Sequence, residues 1–211
     1  MAEPTQLIEG FRRFRERHFA ENDALYRQLV TSGQSPKVLV VACCDSRVDP
    51  AIVLDCAPGD LFVIRNVANL VPPAESRPGG RHGTSAAIEY AVNTLGVEHI
   101  IVLGHGQCGG IRALLSGNGS NDQESFINSW MRLAEGARAS VLRDFPDATL
   151  DTQLEACEQR AILVSLDNLL TFDWVRQRVG AGSLHLHGWY FDIKQGRLLS
   201  YNGERQRFEP L

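Results

Sequence analysis

Two short apolar runs, each followed at once by polar residues that include Cys or His, constrain the fold of this chain more than any other feature. The run Val38 to Cys43 reads VLVVAC, and the run Ile100 to Leu103 reads IIVL. Both are rich in β-branched residues and bounded by turn residues, which is typical of strands buried on both faces of a parallel sheet. A third run, Leu61 to Ile64, has the same character.

The segments between and after these runs favour helices. Gly83 to Leu95 carries small and apolar residues at helical spacing, and two more helices are predicted at roughly Gln123 to Leu142 and Thr152 to Val179. Strands that alternate with helices predict an α/β fold with a mostly parallel central β-sheet flanked by helices. The runs Ser183 to Asp192 and Arg197 to Tyr201 predict a C-terminal β-hairpin.

The first thirty residues predict an N-terminal helical arm, because apolar residues recur near helical spacing until the sequence GQSP, residues 33–36, interrupts them. A second helical segment is predicted at about Glu21 to Val30. The length of 211 residues and a hydrophobic content of 44% are those of one globular domain with a sizeable core.

Charge and hydropathy exclude several kinds of partner. The formal net charge is -4 and no run of like charge is long, so neither a nucleic acid nor an anionic membrane is expected as a partner. No apolar run approaches the roughly 20 residues that a membrane helix needs. The first ten residues lack a hydrophobic signal segment, and the acidic Glu3 and Glu9 argue against a transit peptide. A cytoplasmic location is therefore expected.

The polar residues that follow two of the strands carry the chemistry. CCDSR, residues 43–47, follows the first run, and GHGQCGG, residues 104–110, follows IIVL. Ligands of open parallel sheets bind beyond the carboxyl ends of the strands, so both motifs belong to the functional edge. The five cysteines are an odd number, which favours metal binding or catalysis over a disulfide framework.

Two thiolates and one imidazole from these motifs suit zinc, and three protein ligands leave a fourth position open, as in catalytic sites. His105 and Cys108 supply two of the ligands, while either Cys43 or Cys44 can supply the third. Adjacent strand residues point to opposite faces, so both can hardly bind. Asp45 is close enough in sequence to interact with a zinc-bound water or with the metal, and Arg47 can hold it ionised.

Two further histidines, His185 and His187, alternate along one strand and could pass for metal ligands. We interpret them as structural, because the two motifs already complete a site.

At this point the sequence resembles the β-class carbonic anhydrases. The resemblance covers nearly the whole chain and rests on CCDSRVDPAIVLDCAPGDLFVIRNVANLVPP, GTSAAIEYAV and GHGQCGGI. It implies one zinc per chain, bound by Cys43, His105 and Cys108, and it selects Cys43 over Cys44. It also implies that Asp45 and Arg47 form a catalytic dyad.

Within this family the chain is most similar to the plant-type subclass. The residues that line the substrate pocket of that subclass match Gln34, Phe62, Val67 and Tyr90, and the backbone N–H of Gly109 is a further candidate to hold a substrate oxygen.

Another subclass has a regulatory bicarbonate pocket made of a Trp, an Arg and a Tyr. Here those positions hold Val40, Arg65 and Phe191, so we expect that pocket to be missing.

The resemblance implies the reversible hydration of carbon dioxide to bicarbonate and a proton by attack of a zinc-bound hydroxide. The enzyme would be a carbonic anhydrase (carbonate dehydratase, a zinc lyase), and a homodimer or higher homo-oligomer with the N-terminal helices as an arm over the partner. As a single domain spanning 1–211, the chain would comprise an arm at 1–33, a zinc-binding α/β core at 34–120, and C-terminal helices and edge strands at 121–211.

Three alternatives remain open at this level. The same fold could hydrolyse carbon disulfide or carbonyl sulfide instead. The cysteines could serve a thiol redox protein, although there is no C-x-x-C motif. The zinc could also stabilise a binding module without activity.

Overall fold

A computed structural model of the chain describes residues 3–21, 23–75, 82–117 and 125–211. The chain divides into two compact units, residues 1–35 and 36–211. The organisation of residues 1–211 as one domain with the subdivisions expected above stays a prediction.

The smaller unit consists of helix α1 (Pro4–Arg15), a π-helical turn (Glu16–Glu21) and helix α2 (Ala24–Ser32). Aromatic rings hold it together: the ring centroids of Phe19 and Tyr26 are 4.7 Å apart and those of Phe14 and Tyr26 are 5.6 Å apart. The helical character predicted for this part of the chain is therefore present, with the second helix starting three residues later than expected.

The larger unit is built on one six-stranded sheet. The strands are β1 (Val38–Cys43), β2 (Leu61–Asn66), β3 (His99–His105), β4 (His185–Asp192), β5 (Arg197–Asn202) and β6 (Arg207–Pro210). Their order in the sheet is β2-β1-β3-β4-β5-β6. The first four strands in this order pair in parallel, whereas β5 pairs antiparallel with both β4 and β6. The predicted mostly parallel sheet is thereby confirmed.

The C-terminal part of the sheet is larger than predicted. Strands β4 and β5 form the expected hairpin, but β6 pairs with β5 and extends it to a three-stranded meander. Strand β6 was not predicted because three of its four residues, RFEP, are charged or proline and the run carries too little alternation to predict a strand.

The helices of the larger unit differ from prediction mainly in where they break. The segment predicted as Gln123 to Leu142 is divided by a 3₁₀ turn, and its first two residues lie outside the described residues. The single helix predicted from Thr152 to Val179 is two helices in the structure, separated by a turn near Thr171. After this turn, the side chains of Phe172 and Val175 are buried in the core. The helices are α3 (Pro50–Val53), α4 (Gly83–Glu89, continued by a π-helical turn Tyr90–Leu95), α5 (Gly109–Leu115), α6 (Phe126–Met131), α7 (Glu135–Asp144), α8 (Leu150–Leu169) and α9 (Asp173–Gly180).

The central strands are buried on both faces, which explains why their sequences are continuously apolar. On one face, side chains of β1 and β3 pack against those of α4, α8 and α9. This cluster includes Leu39, Val41, Ile100, Val102, Ile88, Ile162 and Val175. On the other face, Val40, Ala42, Ile101 and Leu103 form a separate buried cluster.

The order of the strands creates the site. From β1 the sheet continues to β2 on one side and to β3 on the other. The carboxyl ends of β1 and β3 are therefore neighbours at a topological switch point, where α/β sheets open a crevice for ligands. Cys43 is the last residue of β1 and His105 the last of β3. Among the described residues, no helix is both long and apolar enough to cross a membrane.

Candidate metal centre

Three buried side chains converge at this crevice. Cys43 and His105 end their strands, and Cys108 directly precedes α5. Their ligand atoms all lie within 4.8 Å of one another, and the two Sγ atoms are 4.0 Å apart. Zinc–sulfur bonds of about 2.3 Å in a tetrahedral site place two sulfur atoms about 3.8 Å apart, so the two thiolates fit one zinc ion.

The imidazole of His105 is oriented as a metal ligand. Its Nδ1 lies 2.9 Å from the carbonyl oxygen of Gly106, which fixes Nδ1 as the protonated donor. Its Nε2 is buried and has no hydrogen-bond partner among the described residues. A buried nitrogen without a partner is rare in proteins and is explained when a metal ion accepts its lone pair.

The two thiols are too close to ionise together without a cation. The pKa of Cys43 is lowered to about 4, mainly because the Cys108 thiol donates a hydrogen bond to it, with smaller contributions from His105 and from the backbone N–H of Ala68. The pKa of Cys108 is raised, first by the neighbouring Cys43 and then by burial. A divalent cation would compensate both negative charges, so this donor set fits a zinc ion.

Backbone strain next to two of the ligands shapes the centre. Gln107 has φ 60°, which reverses the chain between His105 and Cys108, and Ala68 has φ 64°. The conformation of Ala68 directs its N–H to Cys43 Sγ at 3.4 Å. Left-handed conformations of residues other than glycine cost of order 1–3 kcal/mol, and such strain concentrates at functional sites. Sequence reasoning missed Ala68 because its contribution is a backbone N–H.

Asp45 and Arg47 form a bidentate ion pair beside the ligands. Arg47 Nε donates to Asp45 Oδ1 at 2.9 Å and Arg47 Nη2 to Oδ2 at 2.7 Å, while the Arg47 backbone N–H donates to Oδ1 at 3.0 Å. These bonds hold the pKa of Asp45 well below its usual range. Asp45 Oδ2 lies 4.0 Å from His105 Nε2, so an ionised carboxylate faces the position that a metal would occupy.

Arg65 anchors the first motif and was not predicted to do so. It donates to the carbonyl oxygen of Cys43 at 2.9 Å, to that of Asp45 at 2.7 Å and to Asp49 Oδ2 at 2.8 Å. Val40 is fully buried in an apolar cluster against which Phe191 packs. The positions expected for a regulatory bicarbonate pocket therefore offer Arg65 as their one polar side chain, and all three of its guanidinium nitrogens already donate to the loop.

Two of the predicted pocket residues lie next to the ligands. Val67 directly precedes Ala68, and its carbonyl oxygen accepts a hydrogen bond from Trp130 Nε1 at 2.8 Å. Gly109 directly follows Cys108 and is the first residue of α5.

The structure does not bring Phe62 and Tyr90 together with the ligands of the same chain. Phe62 pairs with Leu39, four residues before Cys43, which is about 13 Å along the strand. The ring of Tyr90 is 6.0 Å from that of Phe62, and Tyr90 is 45% exposed. Gln34 belongs to the smaller unit, and its role stays a prediction.

His185 and His187 lie at the amino end of β4, at the opposite edge of the sheet from Cys43. His187 Nε2 is 3.1 Å from Nδ1 of His99 on the neighbouring strand. This hydrogen bond agrees with our interpretation of these histidines as structural.

A family model described as carbonic anhydrase matches residues 38–198. The chain is also 43% identical over 187 residues, or 89% of its length, to "Beta carbonic anhydrase 5, chloroplastic" of Arabidopsis thaliana. The chain belongs to the β-carbonic anhydrase family. It spans 61% of the length of that Arabidopsis relative.

Solved β-carbonic anhydrase structures share the fold over almost the whole chain. The β-carbonic anhydrase CcaA is 37% identical with a TM-score of 0.90, covering 98% of this chain and 91% of that one. One of two tetrameric β-carbonic anhydrases from Sordaria macrospora is 27% identical with a TM-score of 0.74, covering 93% of this chain and 92% of that one. These similarities confirm the predicted family and fold, and the converging Cys-His-Cys donors agree with the predicted zinc cofactor.

Proposed function

We propose that this chain catalyses the zinc-dependent reversible hydration of carbon dioxide to bicarbonate and a proton. The observation that carries the proposal is the convergence of Cys43 Sγ, Cys108 Sγ and the unpartnered His105 Nε2 beside an ionised Asp45. This arrangement lies at the carboxyl edge of the sheet in a chain of the β-carbonic anhydrase family.

Cys43, His105 and Cys108 would hold a zinc ion, which would supply a Lewis acid able to make water a nucleophile near neutral pH. Asp45 is placed to accept a hydrogen bond from the attacking water and to orient its lone pair towards carbon dioxide. Arg47 keeps Asp45 ionised and also donates to the carbonyl oxygen of Gln107 at 3.1 Å, which ties the two motifs together. The backbone N–H of Gly109, at the start of α5, is available to stabilise negative charge that develops on a substrate oxygen.

The proposed pocket is of the plant type and combines residues of two chains. Val67 and Gly109 line it from the chain that holds the metal. Phe62 and Tyr90 lie too far from their own metal ligands, and Tyr90 is largely exposed, so we assign them to the site of a second copy. Gln34 is proposed to contribute a side-chain amide to the same pocket.

The active species is proposed to be a homodimer or a larger homo-oligomer. Leu7 on α1 is 63% exposed and Phe11 on the same helix is also exposed, so the helical arm at residues 1–33 offers an apolar surface to a partner copy. The Sordaria macrospora relative is tetrameric, which supports an oligomer here.

Within the cell we propose a cytoplasmic enzyme, without nucleic acid or membrane partners. The net charge of -4 and its scattered distribution support this proposal. Fractionation of the native host, with enzyme activity in the cytoplasmic fraction as the expected result, tests the location.

The decisive test measures bound zinc and carbon dioxide hydration by stopped-flow over pH 6 to 9. We expect one zinc per chain and a hydration rate that rises with pH. A matched pair of variants, Cys43→Ser and Cys44→Ser, tests the ligand assignment, because Cys43 is 5% exposed at the centre whereas Cys44 is exposed. Cys43→Ser should lose the zinc and Cys44→Ser should keep it. A wild-type protein with full zinc and no hydration would rule out the proposed activity.

A further inference from the structure

A buried carboxylate lies behind the metal centre and takes no part in the mechanism described so far. Glu158 is 3% exposed and belongs to the apolar face of α8, between the buried Leu154 and Ile162. Removing a carboxylate from water is costly, so a buried one that persists needs strong partners. Among the described residues no Lys or Arg forms an ion pair with it, and its partners are neutral donors.

These partners connect Glu158 directly to the second zinc motif. Its Oε1 accepts the backbone N–H of Cys108 at 2.7 Å, and its Oε2 accepts the hydroxyl of Tyr190 at 2.8 Å. Burial raises the pKa of Glu158 to about 7, while both hydrogen bonds act in the opposite direction.

The same tyrosine also lies against Gly106, the third residue of that motif. A Cβ added to Gly106 would lie 3.1 Å from the Tyr190 hydroxyl, so the loop backbone packs directly against it. The N–H of Gly106 donates to the carbonyl oxygen of Phe191 at 2.9 Å, and its own carbonyl oxygen accepts from His105 Nδ1. The orientation of His105 and the position of Cys108 therefore both depend on a turn that rests on Glu158 and β4.

We infer that Glu158 is a positioning residue of the metal centre. By fixing the amide of Cys108 and, through Tyr190, the glycine after His105, it holds the Cys108 thiolate and the His105 imidazole where both can bind one metal ion. This inference rests on the proposed zinc site and extends it to a residue that does not touch the metal. Groups that orient metal ligands in this way typically contribute 10–100-fold to metal affinity.

The test compares zinc affinity, measured by chelator competition, in Glu158→Leu and Glu158→Gln. Leucine leaves the Cys108 N–H without an acceptor, and we expect zinc affinity to fall roughly 10–100-fold. Glutamine can accept from Cys108 through its oxygen and donate to the Tyr190 hydroxyl through its nitrogen, so it should restore affinity to within a few-fold of wild type. Tyr190→Phe removes one of the two bonds and should give an intermediate loss.

Glu155→Leu is the matched control, because Glu155 lies on the same helix and lines the same surface cavity as Glu158, and among the described residues it makes no hydrogen bond to the motif. It should leave zinc affinity unchanged. The absorption spectrum of the cobalt-substituted protein supplies a second measurement. We expect the charge-transfer band from the cysteine thiolates to cobalt to shift in Glu158→Leu and to stay in place in Glu158→Gln. This band reports the geometry of the ligands, so the expected shift does not depend on the melting temperature of the metal-free protein.

Wild-type zinc affinity and an unchanged cobalt spectrum in Glu158→Leu would overturn the inference. So would a loss in Glu158→Gln as large as in Glu158→Leu, because it would show that the acceptor geometry is not what matters. If Glu158→Leu does not fold, Glu158→Gln and Tyr190→Phe still decide the question. None of these measurements uses carbon dioxide, so an inactive wild type that binds zinc would refute the proposed activity and leave the role of Glu158 standing.

Discussion

Asp45 shows how much of this site depends on single hydrogen bonds. Its two carboxylate oxygens accept three bonds from Arg47, and its Oδ2 still faces the position between the metal ligands. Because Arg47 satisfies the carboxylate and holds it ionised, Asp45 can accept a further hydrogen bond without first losing a proton. The pair therefore supplies a hydrogen-bond acceptor of defined direction beside the candidate metal ligands.

We expect Asp45→Asn to lower the hydration rate roughly 100-fold or more at unchanged zinc content, within the range known for positioned proton acceptors. The asparagine side chain has the same shape as that of aspartate, but one of its two oxygens is replaced by an NH₂ group. This donor group would face either the Arg47 guanidinium, which is also a donor, or the substrate. Stopped-flow kinetics together with metal analysis check this. Asp55→Asn is the matched control: Asp55 is exposed and has φ 51°, a conformation that asparagine tolerates. An Asp45→Asn enzyme with wild-type turnover would remove Asp45 from the mechanism.

At the scale of elements, helix α5 contacts the turn after β2, which consists of residues Val67–Asn69. This contact sets the distance between Cys43 and Cys108. Gly110, the second residue of α5, lies so close to this turn that an added Cβ would be 2.8 Å from Val67 Cγ1 and 3.4 Å from Ala68 Cβ. Helix α5 can therefore approach the turn only because position 110 has no side chain. This approach brings the Cys108 end of the helix next to Ala68, whose N–H binds Cys43 Sγ.

Gly110→Ala is expected to destabilise the protein by about 1–3 kcal/mol through overpacking, because the β-branched Val67 has little rotamer freedom to move aside. Gly136→Ala is its control, since Gly136 also lies in a helix and a Cβ there would meet nothing within 4 Å. That change should stabilise the protein by up to about 1 kcal/mol through helix propensity. Urea unfolding of the metal-free proteins measures both, and equal effects of the two substitutions would contradict the role of the close approach.

At the scale of the whole molecule, one chain brings together the three candidate metal ligands but keeps Phe62 and Tyr90 away from them. The parallel register keeps Phe62 about 13 Å from the level of Cys43, and no rotation of its side chain brings it to the other end of the strand. Tyr90 accompanies Phe62. If these residues serve catalysis, they do so in a partner copy, and oligomerisation is then part of the active site rather than an addition to it.

Mixed oligomers test this directly. His105→Ala chains keep Phe62 and Tyr90 but have an impaired metal site. Tyr90→Ala chains keep the metal ligands but lack the Tyr90 ring. Random one-to-one mixing of dimers should restore roughly a quarter of the wild-type activity, because half of the dimers are mixed and one site in each is complete. Activity equal to the average of the two parent proteins would place Tyr90 outside the partner's site. Mixing His105→Ala with Cys43→Ser chains should restore nothing.

Local sequence patterns were sufficient to predict the parallel strands, most of the helices and the two motifs at the strand ends, because burial on both faces and turn chemistry leave short-range signals. The short helix α3 between β1 and β2 was not predicted. The family resemblance then favoured Cys43 over Cys44 and implied carbon dioxide as the substrate that we propose. Strand β6 and the breaks within the long helical segments were not predicted, since they depend on pairing and packing with distant residues.

Only the tertiary structure revealed the contributions of Arg65, Ala68 and Glu158. Arg65 anchors the first motif through backbone carbonyls, and Ala68 binds Cys43 through a backbone N–H. Glu158 left one signal in the sequence, a carboxylate on the apolar face of a helix, but its partner Cys108 is 50 residues away. The chain's own residues thus determined which groups can bind zinc. Long-range contacts decided how those groups are held, because orientation depends on neighbours that sequence spacing does not reveal.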